Sequence, residues 1–232
     1  YAPKSAELID GFKSSKFKGF EVDVDMVLRI NPTWKTFDDY LKEMKTKFRT
    51  KAKKVIKTSS VIEIRSLSAP EINQYEAEIF QLFQNVIERS DYSLGAIEPL
   101  TFAGFKKTLG DHFEFKALFY EGKMIGFSSS FLNNKRYEAN YVGIDYDYNT
   151  KYDVYQRLLY DFVEEAIVRK AEVLHLGRTS ELMKSQIGAL PVPMKLYAKH
   201  KSFVPNLVLS LALNFVKPSP YELRPPFKTN IA

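Results

Sequence analysis

Three consecutive apolar segments in the middle of the chain constrain its fold more than any other feature. They cover Phe113–Tyr120, Met124–Leu132 and Arg136–Asp145, and all three are rich in the aromatic and branched residues that favour β-strands. Glu121-Gly122-Lys123 has the composition of a tight hairpin turn, and Asn133-Asn134 provides a second turn. Because strands joined by such short turns pair antiparallel, the sequence predicts a three-stranded antiparallel meander.

A helix, a strand, a helix and a last strand are predicted after the meander. From Lys151 the apolar residues recur with a helical period as far as Ile167. Val173–Leu176 is short, mostly apolar and directly follows a helix, which indicates a buried strand parallel to its neighbour. Gly177-Arg178-Thr179-Ser180 ends this strand, and we expect Ser180 to cap a helix that reaches about Ile187. Val192–His200 is the last predicted strand.

Two helices are predicted between a short strand and the meander. The strand covers Val61–Leu67, and Ala69-Pro70-Glu71 opens the first helix, with proline at a position where helices tolerate it. Asp91–Pro99 is predicted to be a loop. Leu100–Leu109 is predicted to be the second helix, ended by Gly110.

The first sixty residues are predicted to hold a strand and one long amphipathic helix. The chain is expected to be irregular up to Lys18 and extended over Met26–Ile30, where Asn31-Pro32 stops the strand. Thr36 is a good helix N-cap, and acidic residues follow it in the first turn. The apolar residues of the helix recur at spacings of three and four: Phe37, Leu41, Met44, Phe48, Ala52 and Val55.

The positive charge of the protein is concentrated in that helix. The net charge of the chain is +6, whereas Lys42–Lys57 alone carries eight basic residues and one acid, so the remainder sums to −1. Lys47, Arg49 and Lys53 are therefore candidates for binding an anionic partner, such as coenzyme A phosphates, a tRNA backbone, a nucleotide-linked precursor or phospholipid headgroups. The alternative is a solvated helix face. Base stacking has no support, because no exposed aromatic residues alternate with the basic ones.

The absence of cysteine excludes a disulfide scaffold, a thiolate metal site and a thiol nucleophile, and it fits a cytoplasmic protein. No run of eighteen apolar residues is present. Because the chain starts at Tyr1 without Met, we expect that residues precede it. The apolar segment Val204–Val216 and the proline-rich segment after it are predicted to form a packed terminal helix or, alternatively, an anchor at the inner surface of the membrane.

From Val61 onward the predicted order is strand, helix, helix, three antiparallel strands, helix, strand, helix, strand, which resembles the Gcn5-related N-acetyltransferase (GNAT) fold. Three loose motifs also resemble FemAB-like bacterial acyltransferases of the peptidoglycan-biosynthesis type. They are Trp34-x-x-Phe37-x-x-Tyr40-Leu41 with Lys47-Phe48-Arg49; Tyr152-x-x-Tyr155-x-x-Leu158-Leu159-Tyr160 with Ala166-Ile167 and Leu176-Gly177-Arg178-Thr179; and Lys184-Ser185-x-x-Gly188-Ala189-x-Pro191-Val192.

This resemblance implies an α/β fold with a mixed sheet: an antiparallel meander, a central helix and a following β-α-β unit. It implies acyl or aminoacyl transfer to the amine of a small molecule or precursor, with an acyl-CoA or an aminoacyl-tRNA as donor and no metal. Residues 61–202 are then the acyltransferase domain, residues 1–60 the remnant of a first GNAT-like unit, and residues 203–232 a separate tail. A non-catalytic binding module on the same fold and a lipid or precursor acyltransferase at the membrane surface are the alternatives.

One segment departs from the GNAT pattern. Where GNAT enzymes carry a glycine-rich loop that binds the pyrophosphate of coenzyme A, this chain has Asp145–Lys151, with two acids and no glycine. Glycine allows a phosphate to approach the backbone closely, and acids repel phosphate. The sequence therefore favours a FemAB-like donor over acetyl-CoA.

The candidate site residues lie on both sides of a predicted cleft between Tyr141–Tyr155 and Leu176–Gly188. Asp145 is a candidate base, and Tyr141 and Tyr155 are candidates for lining the cleft or for giving a proton to the leaving group. Substrate or donor binding is predicted for Arg178, Thr179, Lys184, Ser185 and Asp147. The alternatives are helix capping or turn formation for the acids, packing for the tyrosines and a local ion pair for Arg178. No Ser/His/Asp arrangement and no metal-ligand spacing is visible among the three scattered histidines, so direct transfer is the predicted mechanism.

Overall fold

The computed structural model describes residues 5–90, 97–213 and 220–228. The strands are β1 (Lys18–Arg29), β2 (Glu63–Ser66), β3 (Phe113–Tyr120), β4 (Lys123–Asn133), β5 (Arg136–Ile144), β6 (Val173–His175) and β7 (Leu190–Ala198). The helices are α1 (Ser5–Ser14), α2 (Phe37–Glu43), α3 (Thr46–Thr58), α4 (Ala69–Gln74), α5 (Glu76–Ile87), α6 (Pro99–Leu109), α7 (Tyr146–Tyr152), α8 (Val154–Val168), α9 (Glu181–Ser185) and α10 (Phe203–Ala212).

The seven strands form one sheet in the order β2-β3-β4-β5-β6-β1-β7. Strands β2 to β5 pair antiparallel in chain order, which confirms the predicted meander and extends it by one strand. β6 pairs parallel with β5 on one side and antiparallel with β1 on the other. The mixed α/β sheet and the parallel insertion after α8 are thus as predicted.

Two helical layers cover the faces of this sheet, and alternate residues of the strands point into them. Ala117 and Phe127 face α5 and α6, where they join a cluster with Leu82 and Phe102. Leu118 faces the opposite layer, where it packs with Val154 and Leu158 of α8. The regular alternation explains why β3 and β4 read as almost continuously apolar: both faces are covered.

The N-terminal region differs from the prediction in two ways. The segment expected to be irregular contains α1, and β1 begins at Lys18, well before Met26. The acidic residues of β1 alternate with Val24, Met26 and Leu28, which point inward. One face of the strand is therefore charged, and the other packs in the core. β1 contributes to the same sheet and core as residues after 60. That residues 1–60 are the remnant of a first unit stays a prediction.

The predicted long helix is two helices. Thr36 caps α2 as expected, and a capping box with Asp39 completes the cap. The chain then leaves the helical conformation at Met44, which forms a β-bridge with Phe227, and the Lys45 amide donates to the carbonyl of Pro226 at 2.8 Å. The C-terminal segment therefore separates α2 from α3. The helix after Ala69 is likewise divided at Tyr75 into α4 and α5.

The tail predicted to be separate is docked onto the core over residues 220–228. Phe227 is buried against Trp34 and Tyr40, with ring centroids 5.6 Å and 5.9 Å apart. The Arg224 amide donates to Ser185 Oγ at 2.9 Å. The part of the predicted apolar helix beyond 213 and the predicted loop over 91–96 lie outside the described residues. Within the described ranges no helix has both the length and the apolar character to cross a membrane.

Candidate functional site

A V-shaped opening between β5 and β6 is the main candidate site. The parallel ladder contains three pairs only, Arg136 with Val173, Tyr137 with Leu174 and Glu138 with His175. Beyond Glu138, β5 continues to Ile144, whereas the chain after His175 turns toward β1: the Leu176 amide donates to Met26 O at 2.9 Å and the Met26 amide to Gly177 O at 3.1 Å. The two strands therefore diverge from a vertex at Glu138 and His175, and the cleft predicted between Tyr141–Tyr155 and Leu176–Gly188 lies beyond it.

A β-bulge shapes the β5 side of this cleft. Ser130 pairs with Ala139 and Ser128 with Val142, so Asn140 and Tyr141 together face the single residue Ser129. The Tyr141 amide donates to Ser129 Oγ at 3.1 Å, which satisfies a backbone group inside the bulge. The Tyr141 ring packs edge-on against Phe83 and Phe102 on the α5/α6 face of the sheet.

Tyr155 lies on the other face of the sheet, in the layer of α8. It lies in the first turn of α8, a side-chain hydrogen bond joins it to Ser180, and its amide donates to Asn149 Oδ1 at 2.8 Å. Burial raises the pKa of Tyr155, which keeps the phenol protonated at neutral pH. The structure thus places Tyr141 and Tyr155 on opposite faces of the sheet, and it does not bring the two rings together.

The turn after β6 has an unusual backbone. Gly177, Thr179 and Ser180 have φ values of 72°, 61° and 53°, so two residues with a β-carbon adopt the left-handed conformation in succession. Ser180 lies at the N-cap position of α9 but makes no side-chain cap hydrogen bond, which corrects the predicted cap. α9 is also a single turn of five residues and ends at Ser185, before the predicted end near Ile187.

Lys184 stabilises this turn through hydrogen bonds to its carbonyl groups. Its Nζ donates to the carbonyl oxygens of Gly177, at 3.2 Å, and of Arg178, and the side chain is buried. Burial lowers the pKa of Lys184 to about 8. Ser185 is also buried and donates to Leu182 O at 2.8 Å while it accepts from Arg224. Lys184 therefore supports the turn, whereas Ser185 joins α9 to the C-terminal segment, and substrate or donor binding by either residue stays a prediction.

Arg178 remains accessible. Its side chain is 45% exposed, and Nη1 lies 3.6 Å from Asp23 Oδ2 of β1. This ion pair is the alternative that the sequence left open, but the long and exposed contact leaves most of the guanidinium's donors available.

Asp145 and Asp147 lie at the far end of β5. Asp145 accepts from the Asp147 amide at 3.1 Å as the N-cap of α7, and it forms a 2.9 Å ion pair with Lys123. Seven residues separate Asp145 from Glu138, roughly 20 Å along an extended strand. The capping role is thus present, and the catalytic role of Asp145 stays a prediction. In place of the glycine-rich loop, residues 146–152 form a helix.

The basic helix α3 lies beside the cleft. Lys51 Nζ donates to Gln186 Oε1 at 2.7 Å, and Asp153 at the start of α8 is close enough to influence its charge. Burial lowers the pKa of Lys51, and Asp153 opposes that shift. Lys47 and Lys53 are exposed, and Arg49 is half-buried with Nη1 donating to Lys42 O at 3.3 Å.

One polar cluster was not predicted from the sequence; it is formed by Asp25, His175 and Arg136 on three adjacent strands. His175 Nδ1 lies 2.6 Å from Asp25 Oδ2, and His175 Nε2 lies 3.3 Å from Arg136 Nη2. One of the three histidines described as scattered therefore belongs to a His–Asp arrangement. The sequence contains little indication of this contact. Asp25 and His175 are 150 residues apart, and no local pattern predicts that β1 pairs with β6. No group of three or more potential metal ligands occurs in the described ranges.

The meander, the long helix α8 and the parallel strand pair that diverges into a cleft together define a GNAT/FemAB-like fold. Solved structures share it, although no protein-family model and no curated protein matches the sequence. The C-terminal domain (DUF2156) of a putative lysylphosphatidylglycerol synthetase from Agrobacterium fabrum is 11% identical with a TM-score of 0.59, over 90% of this chain and 69% of that chain. FemX is 9% identical with a TM-score of 0.61, over 83% and 68%. L-PGS from Bacillus licheniformis is 9% identical with a TM-score of 0.54, over 90% and 70%. At these identities the likeness shows the fold alone.

Proposed function

We propose that this protein is an N-acyltransferase that transfers an acyl or aminoacyl group directly to an amine in the cleft between β5 and β6. The observation that carries the proposal is the three-pair parallel ladder that ends at Glu138 and His175 and opens into the cleft. Such an opening exposes backbone groups of two strands to one ligand, and it can hold a planar ester or thioester in an extended path. The fold shared with a putative lysylphosphatidylglycerol synthetase supports the same class of reaction.

The donor in this proposal is held by positive charge on α3 and not by a glycine-rich loop. Residues 146–152 are helical and Asp145 caps them, so a pyrophosphate would meet carboxylates at that position. α3 reaches the cleft through Lys51 and Gln186 and exposes Lys47 and Lys53 beside it. An aminoacyl-tRNA, with many phosphates, matches this surface better than an acyl-CoA.

The cleft residues have distinct proposed roles. Tyr155, protonated at neutral pH, gives a proton to the leaving oxygen or sulfur of the donor. Arg178 and Thr179 contact the donor from the strained turn, Lys184 acts by holding that turn in place, and Ser185 acts by joining α9 to the C-terminal segment. The acceptor is a primary amine of a small molecule or precursor.

Calorimetric titration of the protein with acetyl-CoA, longer acyl-CoAs and a non-hydrolysable aminoacyl-tRNA analogue tests the proposal. We expect the tRNA analogue to bind and the K47Q/K53Q variant to bind it more weakly. K107Q/K201Q is the matched control, because Lys107 and Lys201 are also exposed but lie outside α3, on α6 and between β7 and α10. If none of these donors binds, transferase activity is rejected in favour of a non-catalytic module.

A further inference from the structure

The Asp25–His175–Arg136 cluster lies on the sheet face opposite α8. Val24 and Leu174 point toward the α8 layer, so their neighbours Asp25 and His175 point away from it. The helices on this second face, α5 and α6, pack on β3, β4 and β5. The cluster thus lies beside that layer, at the vertex where the β5–β6 ladder ends.

The hydrogen bonds of the cluster define the tautomer of His175. A guanidinium can only donate, so Nε2 of His175 accepts from Arg136 Nη2 at 3.3 Å. Nδ1 then carries the proton and donates to Asp25 Oδ2 at 2.6 Å. The imidazole is therefore neutral in this arrangement, with its lone pair on Nε2 and a carboxylate behind it.

Two further polar atoms of the cluster have no hydrogen-bond partner among the described residues. Asp25 Oδ1 and Arg136 Nε are buried, and neither has a hydrogen-bond partner in the described part of the chain. Buried polar atoms are nearly always satisfied, so an acceptor and a donor left open on either side of one histidine indicate a place where another molecule binds.

We infer that this cluster is the binding site for the acceptor amine and that His175 Nε2 takes the amine's proton. The inference rests on the proposed function. The amine nitrogen bonds to the carbonyl carbon of the donor, and the nitrogen passes one proton to Nε2. The bond from carbon to the leaving sulfur or oxygen then breaks, and the imidazolium returns the proton to that atom, directly or through Tyr155, so that the protein ends in its starting state.

The charges around His175 fit this step. Asp25 stabilises the imidazolium that forms, and Asp23 on the same strand and Glu138 on β5 add negative charge on the same face. Arg136 and Arg178 oppose it. Arg136 must release Nε2 when the amine arrives, which its position allows: the side chain is 40% exposed, and Nη2 already lies 3.7 Å from Glu138 Oε1.

The first experiment is independent of turnover. Protein with ¹⁵N-labelled histidine is observed by long-range ¹H–¹⁵N NMR and titrated with cadaverine, a primary diamine. We expect a neutral Nδ1-H tautomer for His175 and a saturable shift of its Nε2 resonance, with no shift at His112 or His200. A His175 signal that is insensitive to the amine, or the opposite tautomer, would overturn the inference.

The second experiment measures transfer to cadaverine from whichever donor binds the protein. His175→Gln can keep both hydrogen bonds of the imidazole but cannot take a proton. We expect it to lower kcat by roughly 10²- to 10⁴-fold, to leave the KM of the donor unchanged and to abolish the low-pH limb of the rate profile. His112→Gln, whose ring lies outside the cluster and contacts the carbonyl of Leu132, should stay within a few-fold of the parent protein and keep that limb.

The outcomes separate the two proposals. If the parent protein is active and H175Q is equally active, or if H175Q keeps the low-pH limb, His175 is not the proton acceptor. If cadaverine shifts Nε2 but the parent protein transfers nothing from any bound donor, the proposed function and the proton-transfer step both fail, and the amine-binding site stands alone.

Discussion

Lys51 Nζ donates a 2.7 Å hydrogen bond to Gln186 Oε1 and so connects the basic helix α3 to the one-turn helix α9 at the cleft. This contact fixes the position of α3, the most positively charged helix, relative to the site. In our proposal, the exposed basic residues of α3 flank the mouth of the cleft and contact a long anionic donor where it leaves the site. The charge run is thus a functional surface in our proposal, whereas its composition alone is equally typical of a solvated helix face.

The first prediction concerns the salt dependence of donor binding. The K47Q/K53Q variant removes two exposed positive charges from α3. If both contact phosphates, the slope of log Kd against log salt should fall by roughly 1.4 to 1.8, since each phosphate contact contributes about 0.7 to 0.9. Filter binding of tRNA between low and moderate salt measures the slope.

The same measurement on K107Q/K201Q provides the control, because it removes the same charge elsewhere. An equal decrease of slope in both variants would mean that only net charge matters, and that α3 has no special place in binding.

The second prediction concerns pH and the buried Lys184. Burial lowers its pKa in the folded protein to about 8 from 10.5, so between these values the folded protein has lost a proton that the unfolded chain retains. Stability rises with pH wherever the unfolded state binds more protons. Relative to Lys184→Met, the free energy of unfolding should therefore increase by about 3 kcal/mol between pH 8 and pH 10.5, and the difference between the two proteins should not change with pH below pH 8.

Urea unfolding of both proteins at several pH values measures the difference, and subtraction removes the other lysines and tyrosines that titrate in the same range. A difference that is constant across the window would show that Lys184 keeps its ordinary pKa and is more hydrated than its position indicates.

The elements with local causes could be predicted from the sequence. The strands β3 to β5 are joined by short turns, Thr36 and Asp39 form a cap within one helical turn, and Gly110 ends α6 with a φ of 55°. The parallel strand β6 could be predicted because it is short, apolar and directly follows a helix. These features depend on neighbours a few residues apart, which is the range over which pattern and propensity act.

The remainder depends on contacts between distant parts of the chain. The separation of α2 from α3 is caused by the pairing of Met44 with Phe227, and the length of β1 by its pairing with β7. The Asp25–His175 contact has the same origin. Lys184 and Asp145 were selected from local pattern, but their partners determine what they do, and no pattern gives the partners.

The third prediction tests how the C-terminal segment is docked. Gly188 has a φ of +100°, and a β-carbon there would lie 2.3 Å from Phe227 Cε2. Gly188→Ala should lower the free energy of unfolding by at least about 2 kcal/mol, because it strains the backbone and displaces Phe227. In a Phe227→Ala background, where the ring is absent, the same substitution should cost less.

Thermal unfolding of the two single variants and the double variant gives this cycle. Gly104→Ala is the control: Gly104 lies within α6 with nothing within 4 Å of an added β-carbon, and alanine should stabilise that helix by up to about 1 kcal/mol. If G188A costs the same with and without the Phe227 ring, the strain is in the backbone alone.

The fourth prediction concerns the buried charges between β3 and α8. Lys116 Nζ lies 3.0 Å from Asp161 Oδ2 and 2.8 Å from Glu165 Oε2; burial lowers its pKa, but the two carboxylates outweigh that effect and the net pKa is raised. Lys116→Met leaves both carboxylates buried with fewer partners, and we expect a loss of about 3 kcal/mol in the free energy of unfolding.

Lys123→Met is the control: it removes an exposed pair with Asp145 and should cost at most about 1 kcal/mol. Adding Asp161→Asn to K116M should restore part of the loss, because it removes a buried carboxylate that has lost its nearest cation and, among the described residues, keeps only Arg157 at 3.9 Å. Urea unfolding of the three variants decides the matter, and a K116M variant as stable as K123M would show that water reaches the carboxylates beneath α8.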